Sequence, residues 1–204
     1  NIYKQPLILE NNDEAMGNVI FNKEIFELAI KKLNQLKILK TDVDLETSEL
    51  KPNKCLQINK KKFVFKKVII SIGKNITSNR NHKSLTFDQR HFSYVGFFKH
   101  SNNHNNIAYE FFTHEGPLAI LPCPAINKKK STFIYSSNIK INKSKLQKLI
   151  YEKTSTSHGK LTFEKSISKF PVSPHLTKNN KNFIYIGDSL KSIHPVAGQG
   201  WNLG

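Results

Sequence analysis

The residue types best suited to chemistry lie close together near the end of the chain, as one carboxylate, a His-Pro pair and several glycines. Asp188 follows an apolar run, residues 183–186, which predicts a buried strand that ends at Gly187. Ligands of an open α/β sheet bind at the carboxyl edge of its strands, so we expect Asp188 to face a ligand. Glycines in the following stretch let the backbone approach a flat, bulky group without interference from Cβ atoms.

A rigid turn and a helix start complete this pattern. His194 and Pro195 precede the glycine-rich residues 198–204, which are typical of the opening of a helix. The amide groups at a helix start point outward and favour negative charge. We therefore interpret residues 187–204 as a seat for a polar, partly anionic cofactor.

The apolar patterns that position this seat indicate an α/β fold. Helical spacing predicts a helix over residues 22–36, with Asn22 as its N-terminal cap and one apolar face buried. Alternation predicts a hairpin over residues 55–65, and the continuous apolar run at residues 68–72 is typical of a strand in a parallel sheet.

The middle of the chain favours an antiparallel sheet. Residues 84–174 are rich in short β-type runs that are separated by loops of Asn, His, Gly and Pro. The candidate strands are residues 92–98, 107–112, 118–121 and 132–136, and one helix is expected over residues 144–151.

The charge balance is strongly basic, with 32 Lys and Arg against 15 Asp and Glu. Only Arg80 and Arg90 are arginines, whereas a dedicated nucleic-acid reader would use more arginine for bidentate contacts. Lys, Asn, Ile and Phe are abundant and have A/T-rich codons, so we attribute much of the charge to gene composition. Anionic membrane lipid is the other partner that such a charge suits.

Nothing in the sequence has the spacing of a metal site. Cys55 and Cys123 are the two cysteines, and a lone pair outside any metal motif favours free thiols in a reducing compartment. Six histidines likewise show no metal spacing and are interpreted as loop or surface residues: His91, His100, His104, His114, His158 and His175.

The stretch GDSLKSIHPVAGQGWNLG, residues 187–204, resembles the second flavin motif of the para-hydroxybenzoate hydroxylase-type monooxygenases. Its His-Pro and Ala-Gly-Gln-Gly parts are especially similar to the ubiquinone-biosynthesis branch. The resemblance implies that Asp188 binds the ribityl chain of FAD and that Pro195 lies beside the isoalloxazine ring. It implies these cofactor-binding residues: Asn18, Arg80, Gly187, Asp188, Pro195, Gly198, Gln199, Gly200, Asn202 and Leu203. The implied catalytic residues are Pro195 and His194, with His194 near the substrate.

Weaker stretches agree with the family in order and spacing. They are Met16-Gly17-Asn18, the strand pair at residues 108–122, and Phe170-Pro171-Val172. One departure is Gly73-Lys74, which stands where relatives carry an Asp-Gly pair near the pyrophosphate. The loss of this acidic residue puts cofactor affinity and reduction by the nicotinamide in question.

The implied fold is α/β, a partial FAD-binding lobe with a mostly antiparallel β-sheet substrate lobe inserted. The FAD-binding lobe would comprise residues 1–82 and 179–204, and the substrate lobe residues 83–178. The chain is expected to be an internal piece of a longer protein, because the N-terminal Gly-x-Gly-x-x-Gly unit is absent from it.

The implied function is hydroxylation of the aromatic ring of a lipophilic phenol, a ubiquinone precursor, with FAD, NAD(P)H and O2. Contact with the membrane and with other quinone-biosynthesis proteins is expected, and nucleic acid is not. The expected location is the cytoplasm or the mitochondrial-matrix side, peripheral at the inner membrane. Two alternatives stay open. One is a degenerate relative that serves as an interaction subunit, favoured by Gly73-Lys74. The other is a basic nucleic-acid-binding protein, favoured by net charge alone.

Overall fold

The computed structural model describes residues 8–10, 14, 16–41, 43, 55–58, 60–73, 85–86, 91–124, 127–172, 174–179 and 183–193. Within them lie two α-helices and four separate sheets. In chain order the elements are α1 (Asn22–Gln35), β1 (Cys55–Ile58), β2 (Lys61–Val64), β3 (Val68–Ile70), β4 (Leu85–Thr86), β5 (His91–His100), β6 (Tyr109–Thr113), β7 (Gly116–Pro122), β8 (Lys130–Ser137), α2 (Lys143–His158), β9 (Leu161–Val172), β10 (His175–Leu176), β11 (Phe183–Tyr185) and β12 (Lys191–Ser192).

The largest unit is a five-stranded antiparallel sheet in the order β6-β7-β8-β5-β9. It confirms the antiparallel sheet that the sequence predicts for the middle of the chain. Strand β9 was not predicted. Its apolar alternation is interrupted, because Phe98 pairs with Phe163 while Gly96 pairs with Ile167, which places a bulge in β9.

The core lies between one face of this sheet and helix α2. The helix starts at Asn142, whose side chain accepts a hydrogen bond from the Lys145 amide at 2.8 Å. Burial of each large apolar side chain from water stabilises the fold by about 1.5–3 kcal/mol. The buried members of this core are Tyr94, Phe98, Leu118, Ile120, Phe133, Tyr135, Leu146 and Ile150.

Three small sheets account for the other strands. β1 and β2 form the predicted hairpin, and β10 pairs with both β4 and β12. β3 and β11 are parallel, with Val68 opposite Phe183 and Ile70 opposite Tyr185. The sequence predicted strands covered on both faces. Ile70 and Tyr185 are buried, but the prediction is wrong for the other face of β3, because Ile69 is 63% exposed.

Helix α1 forms where the sequence predicts it, but two of its details differ. Phe21, not Asn22, is the N-cap residue, and the Glu24 carboxylate accepts a hydrogen bond from the Phe21 amide at 3.3 Å. Asn22 is already helical, so its side chain does not cap the helix. The prediction that one apolar face of α1 is buried is also wrong, because no α1 residue is buried and Phe26 is 65% exposed. No helix in the described ranges has both the length and the apolar character needed to cross a membrane.

Candidate functional site

Two glycine turns lie at one edge of the parallel pair β3 and β11. Because parallel strands end at the same edge of a sheet, the turn after each strand lies beside the other. Gly73 has a φ of +68° and Gly187 a φ of +57°, a left-handed backbone that glycine adopts without steric cost. A Cβ atom built on either glycine would meet no described atom within 4 Å, so both turns border open space.

Hydrogen bonds join the two turns. The Ile186 amide donates to the Ile70 carbonyl at 3.1 Å, which extends the parallel pairing beyond β11. Ser189 is fully buried, and its hydroxyl donates to the Gly73 carbonyl at 3.2 Å. The 3-10 turn Gly187–Ser189 is thereby fixed against the end of β3.

The carboxylate of Asp188 projects from this fixed turn into solvent, since the residue is exposed. No hydrogen bond or ion pair joins Asp188 to any other described residue. A carboxylate held at a sheet edge accepts hydrogen bonds from ligand hydroxyl groups. Together with the two open glycine turns, it fits a polyhydroxylated cofactor chain such as the ribityl group of FAD.

A second candidate surface is the face of the large sheet that points away from α2, and it is apolar. Its residues follow from the strand register, in which Val95 pairs with Ile134 and Ile134 pairs in turn with Ala119. Val95, Phe97, Ala119, Leu121 and Ile134 are only half-buried, and we call them the open sheet face. A half-buried apolar sheet surface suits contact with an aromatic or lipophilic ligand.

Most of the predicted site residues lie outside the described residues. Gly187 and Asp188 come together with Gly73 at the edge described above, whereas Asn18 is exposed ahead of α1, and no hydrogen bond among the described residues joins it to that edge. The roles assigned to all of them stay predictions. Outside the described residues are Arg80, His194, Pro195, Gly198, Gln199, Gly200, Asn202 and Leu203, together with Lys74 of the Gly73-Lys74 pair.

Three buried histidines meet at one end of the large sheet, a cluster that the sequence did not reveal. His100 ends β5, His104 follows in the next loop and His158 ends α2, and each is at most 6% exposed. The rings of His100 and His158 meet edge to face, with centroids 4.6 Å apart, and His104 lies 6.1 Å from His100. The prediction of loop or surface positions is wrong for His100 and His158, and also for His175, which is buried in β10. His104 lies in a loop but is buried.

Hydrogen bonds fix the neutral tautomers of two of these rings. His100 Nδ1 lies 2.6 Å from the Asn102 carbonyl, which can only accept, so Nδ1 carries the proton. The second nitrogen of His100 then accepts from the Ser131 hydroxyl at 3.0 Å. His104 Nδ1 accepts from the Asn106 amide at 3.0 Å, which places its proton on Nε2.

Burial makes His100 and His158 hard to protonate. Loss of solvation, together with the neighbouring His100 and His104, lowers the pKa of His158 to about 4. Burial also lowers the pKa of His100. The Nε2 atoms of His104 and His158 have no hydrogen-bond partner in the described part of the chain. No group of three His, Cys, Asp or Glu side chains in that part is arranged to hold a metal ion.

Comparison with known sequences finds a distant similarity to a ubiquinone hydroxylase. No family model matches the sequence. The chain is 23% identical over 205 aligned residues to the ubiquinone hydroxylase UbiM of Neisseria meningitidis, which covers 94% of this chain and 44% of that protein. The chain therefore spans less than half the length of this relative.

Comparison with solved structures identifies the fold. The flavin-dependent halogenase CmlS matches with a TM-score of 0.62 and 14% identity, over 89% of this chain and 37% of that protein. MibH, a tryptophan 5-halogenase, also matches with a TM-score of 0.62, at 11% identity, over 89% of this chain and 36% of that protein. These matches confirm the α/β fold with its antiparallel sheet. The resemblance predicted from the sequence agrees with this fold and with the match to the ubiquinone hydroxylase.

Proposed function

We propose, on the premise of this resemblance to the FAD-dependent ubiquinone hydroxylases, that the chain is part of a flavin-dependent monooxygenase. Its substrate would be a polyprenylphenol whose ring is hydroxylated at the expense of NAD(P)H and O2. The observation that carries the proposal is the edge where Asp188 and two open glycine turns lie side by side after parallel strands.

The residues at this edge would bind and orient FAD. Asp188 would accept hydrogen bonds from the ribityl hydroxyl groups, and Gly187 would let the backbone approach the cofactor without a Cβ atom between them. Ser189 would act as a positioning residue, because its bond to the Gly73 carbonyl holds the turn that presents Asp188. Bound FAD would supply the redox chemistry and the activation of oxygen.

The open sheet face would receive the substrate. Its half-buried apolar side chains can cover an aromatic ring and the start of a polyprenyl chain, and they exclude water from the ring. Exclusion of water protects reactive groups from hydrolysis and strengthens the electrostatic interactions within a site. The hydroxylase name of the UbiM relative supports the same substrate class.

The test uses the full natural protein, purified from cells with ample riboflavin. We expect a yellow protein that consumes O2 with NADH or NADPH and hydroxylates a short-chain polyprenylphenol. Asp188→Ala should weaken FAD binding roughly 10- to 100-fold, since a hydrogen bond to a charged group contributes about 1.5–3 kcal/mol. FAD fluorescence titration measures this loss independently of turnover.

Glu152→Ala provides the matched control, because it also removes an exposed carboxylate, one that pairs with Lys148 on α2. It should leave FAD affinity unchanged. A protein that never retains FAD overturns the proposal. A yellow protein that turns over no phenol with either nicotinamide instead supports the degenerate relative, the alternative favoured by Gly73-Lys74.

A further inference from the structure

The β1–β2 hairpin concentrates positive charge on a small surface. Lys60, Lys61, Lys62, Lys66 and Lys67 are all exposed, and we call this group the hairpin lysines. None of them forms an ion pair with another described residue. Five uncompensated ammonium groups within eight residues create a local positive potential.

Strand alternation places Lys62 and the aromatic residues that follow it on opposite sides of the hairpin. Phe63 and Phe65 are half-buried, and their rings stack in parallel with centroids 6.4 Å apart. Lys62 and Val64, which alternate with them along the strand, point to the other side and are exposed. The exposed side is therefore basic, with Val64 as an apolar contact that is 66% exposed.

Further exposed apolar residues follow the hairpin directly. Ile69 is 63% exposed and Ile72 is 50% exposed, within ten residues of the hairpin lysines. A surface that combines lysines with exposed β-branched side chains can bind anionic headgroups and also contact the upper part of the acyl region.

The rest of the chain shows that this concentration is local. Elsewhere, some exposed lysines have acidic partners: Lys23 pairs with Glu27, and Lys145 pairs with Glu115 at 2.9 Å. No Asp or Glu occurs between Glu49 and Asp88. Gene composition explains an abundance of lysine, but it does not explain why acidic residues are absent from this one segment.

We propose that the hairpin lysines form the surface by which the protein adsorbs to an anionic phospholipid bilayer. Lysine is a compact point charge that interacts with headgroups without a fixed geometry, whereas base recognition would favour arginine. The adsorption follows from the charge alone. Its benefit rests on the proposed function, since a polyprenylphenol resides in the membrane.

The test is cosedimentation of the full natural protein with vesicles of phosphatidylcholine and phosphatidylglycerol. A lysine near an anionic surface strengthens adsorption about fivefold. The triple variant Lys60→Gln, Lys61→Gln, Lys62→Gln should therefore bind about 100-fold more weakly. Binding should also fall steeply as salt rises, because screening shortens the reach of the surface charge.

The matched control is the triple variant Lys140→Gln, Lys148→Gln, Lys153→Gln, which removes three exposed lysines at and before α2. It carries the same net charge as the hairpin variant and should keep wild-type vesicle binding. Thermal unfolding of both variants shows that each is folded, and charge reversal with Lys61→Glu alone gives a second, milder change of the same surface.

Equal weakening of both triple variants would overturn the assignment to the hairpin. The same result follows from binding to pure phosphatidylcholine at wild-type strength, or from tighter, lysine-dependent binding to nucleic acid than to vesicles. FAD retention is measured on the same preparations. Vesicle binding without retained FAD supports this inference and contradicts only the proposed function. Retained FAD without vesicle binding contradicts this inference and leaves the proposed function supported.

Discussion

The large sheet with α2 and the edge after β3 and β11 differ in how far their polar groups are exposed to solvent. Around the sheet, Phe98, Leu118 and Ile150 are fully buried, and even the imidazoles of His100 and His158 are enclosed. At the edge, Asp188 is exposed and both glycine turns face open space. The first region encloses its polar groups, whereas the second leaves Asp188 available to a ligand.

The two regions also use glycine for different reasons. Gly116 joins β6 to β7 with a φ of +138°, and a Cβ atom there would lie 1.9 Å from the Ser136 carbonyl oxygen. At Gly187 only the backbone conformation demands glycine, because no described atom lies near its missing Cβ. Gly116 is needed because its neighbours leave no room for a side chain, whereas Gly187 leaves the space beside its turn free for a ligand.

The largest expected effect separates these two glycines by the same substitution. Gly116→Ala should lower the free energy of unfolding by about 3–5 kcal/mol, from backbone strain together with the collision with Ser136. Gly187→Ala should cost only about 1 kcal/mol, the cost of a left-handed conformation in alanine. Urea unfolding of both variants measures the difference.

The flavin readout reverses the order of these two variants. Gly187→Ala should weaken FAD binding, because its new methyl group occupies the space beside the turn that carries Asp188. Any folded Gly116→Ala protein should keep its FAD affinity. Equal stabilities for the two variants would contradict the distinction between a closed and an open region.

The second prediction concerns acid and the buried histidines. The folded-state pKa of His158 is about 4, below the ordinary value of 6.5. The unfolded chain therefore binds more protons between these pH values, so stability falls as pH drops from 6.5 towards 4. The expected loss from this residue is roughly 3 kcal/mol, and none of it occurs above pH 6.5.

Urea unfolding between pH 4 and pH 7 measures this slope. His158→Phe keeps an aromatic ring beside Phe98 and Tyr109 and should flatten the profile. An unchanged slope in His158→Phe would show that the cluster is not the source of the acid sensitivity.

Local patterns in the sequence predicted most strands of the large sheet, but they did not predict which distant residues come into contact there. Strands β5 and β8 are rich in aromatic and β-branched residues and were found, whereas β9 carries Lys165, Ser166, Ser168 and Lys169 and lies at the sheet edge. Its bulge further breaks the period of two on which strand prediction depends.

The histidine cluster could not be read from the sequence for a different reason. His100 and His158 are far apart in the chain, and only the antiparallel return of α2 and β9 against β5 brings their rings together. Nothing local distinguishes them from the exposed His114. The edge with Asp188 was easier, because an apolar run that ends in Gly-Asp is itself the local signal of a strand and its turn.

The smallest expected effect tests the contact that holds the open edge in shape. Ser189→Ala removes the bond to the Gly73 carbonyl and should lower the free energy of unfolding by about 1 kcal/mol. FAD affinity should fall as well, because the turn that presents Asp188 loses its hydrogen bond to the Gly73 carbonyl.

Thr154→Ser is the control, because it removes one buried methyl group beside the large sheet. Its hydroxyl can still donate to the Ile150 carbonyl, as the Thr154 hydroxyl does at 2.7 Å. Both variants should lose about 1 kcal/mol in urea unfolding, but only Ser189→Ala should weaken FAD binding in the fluorescence titration. If the two variants bound FAD equally well, Ser189 would be a packing residue and the edge would owe its shape to the strands alone.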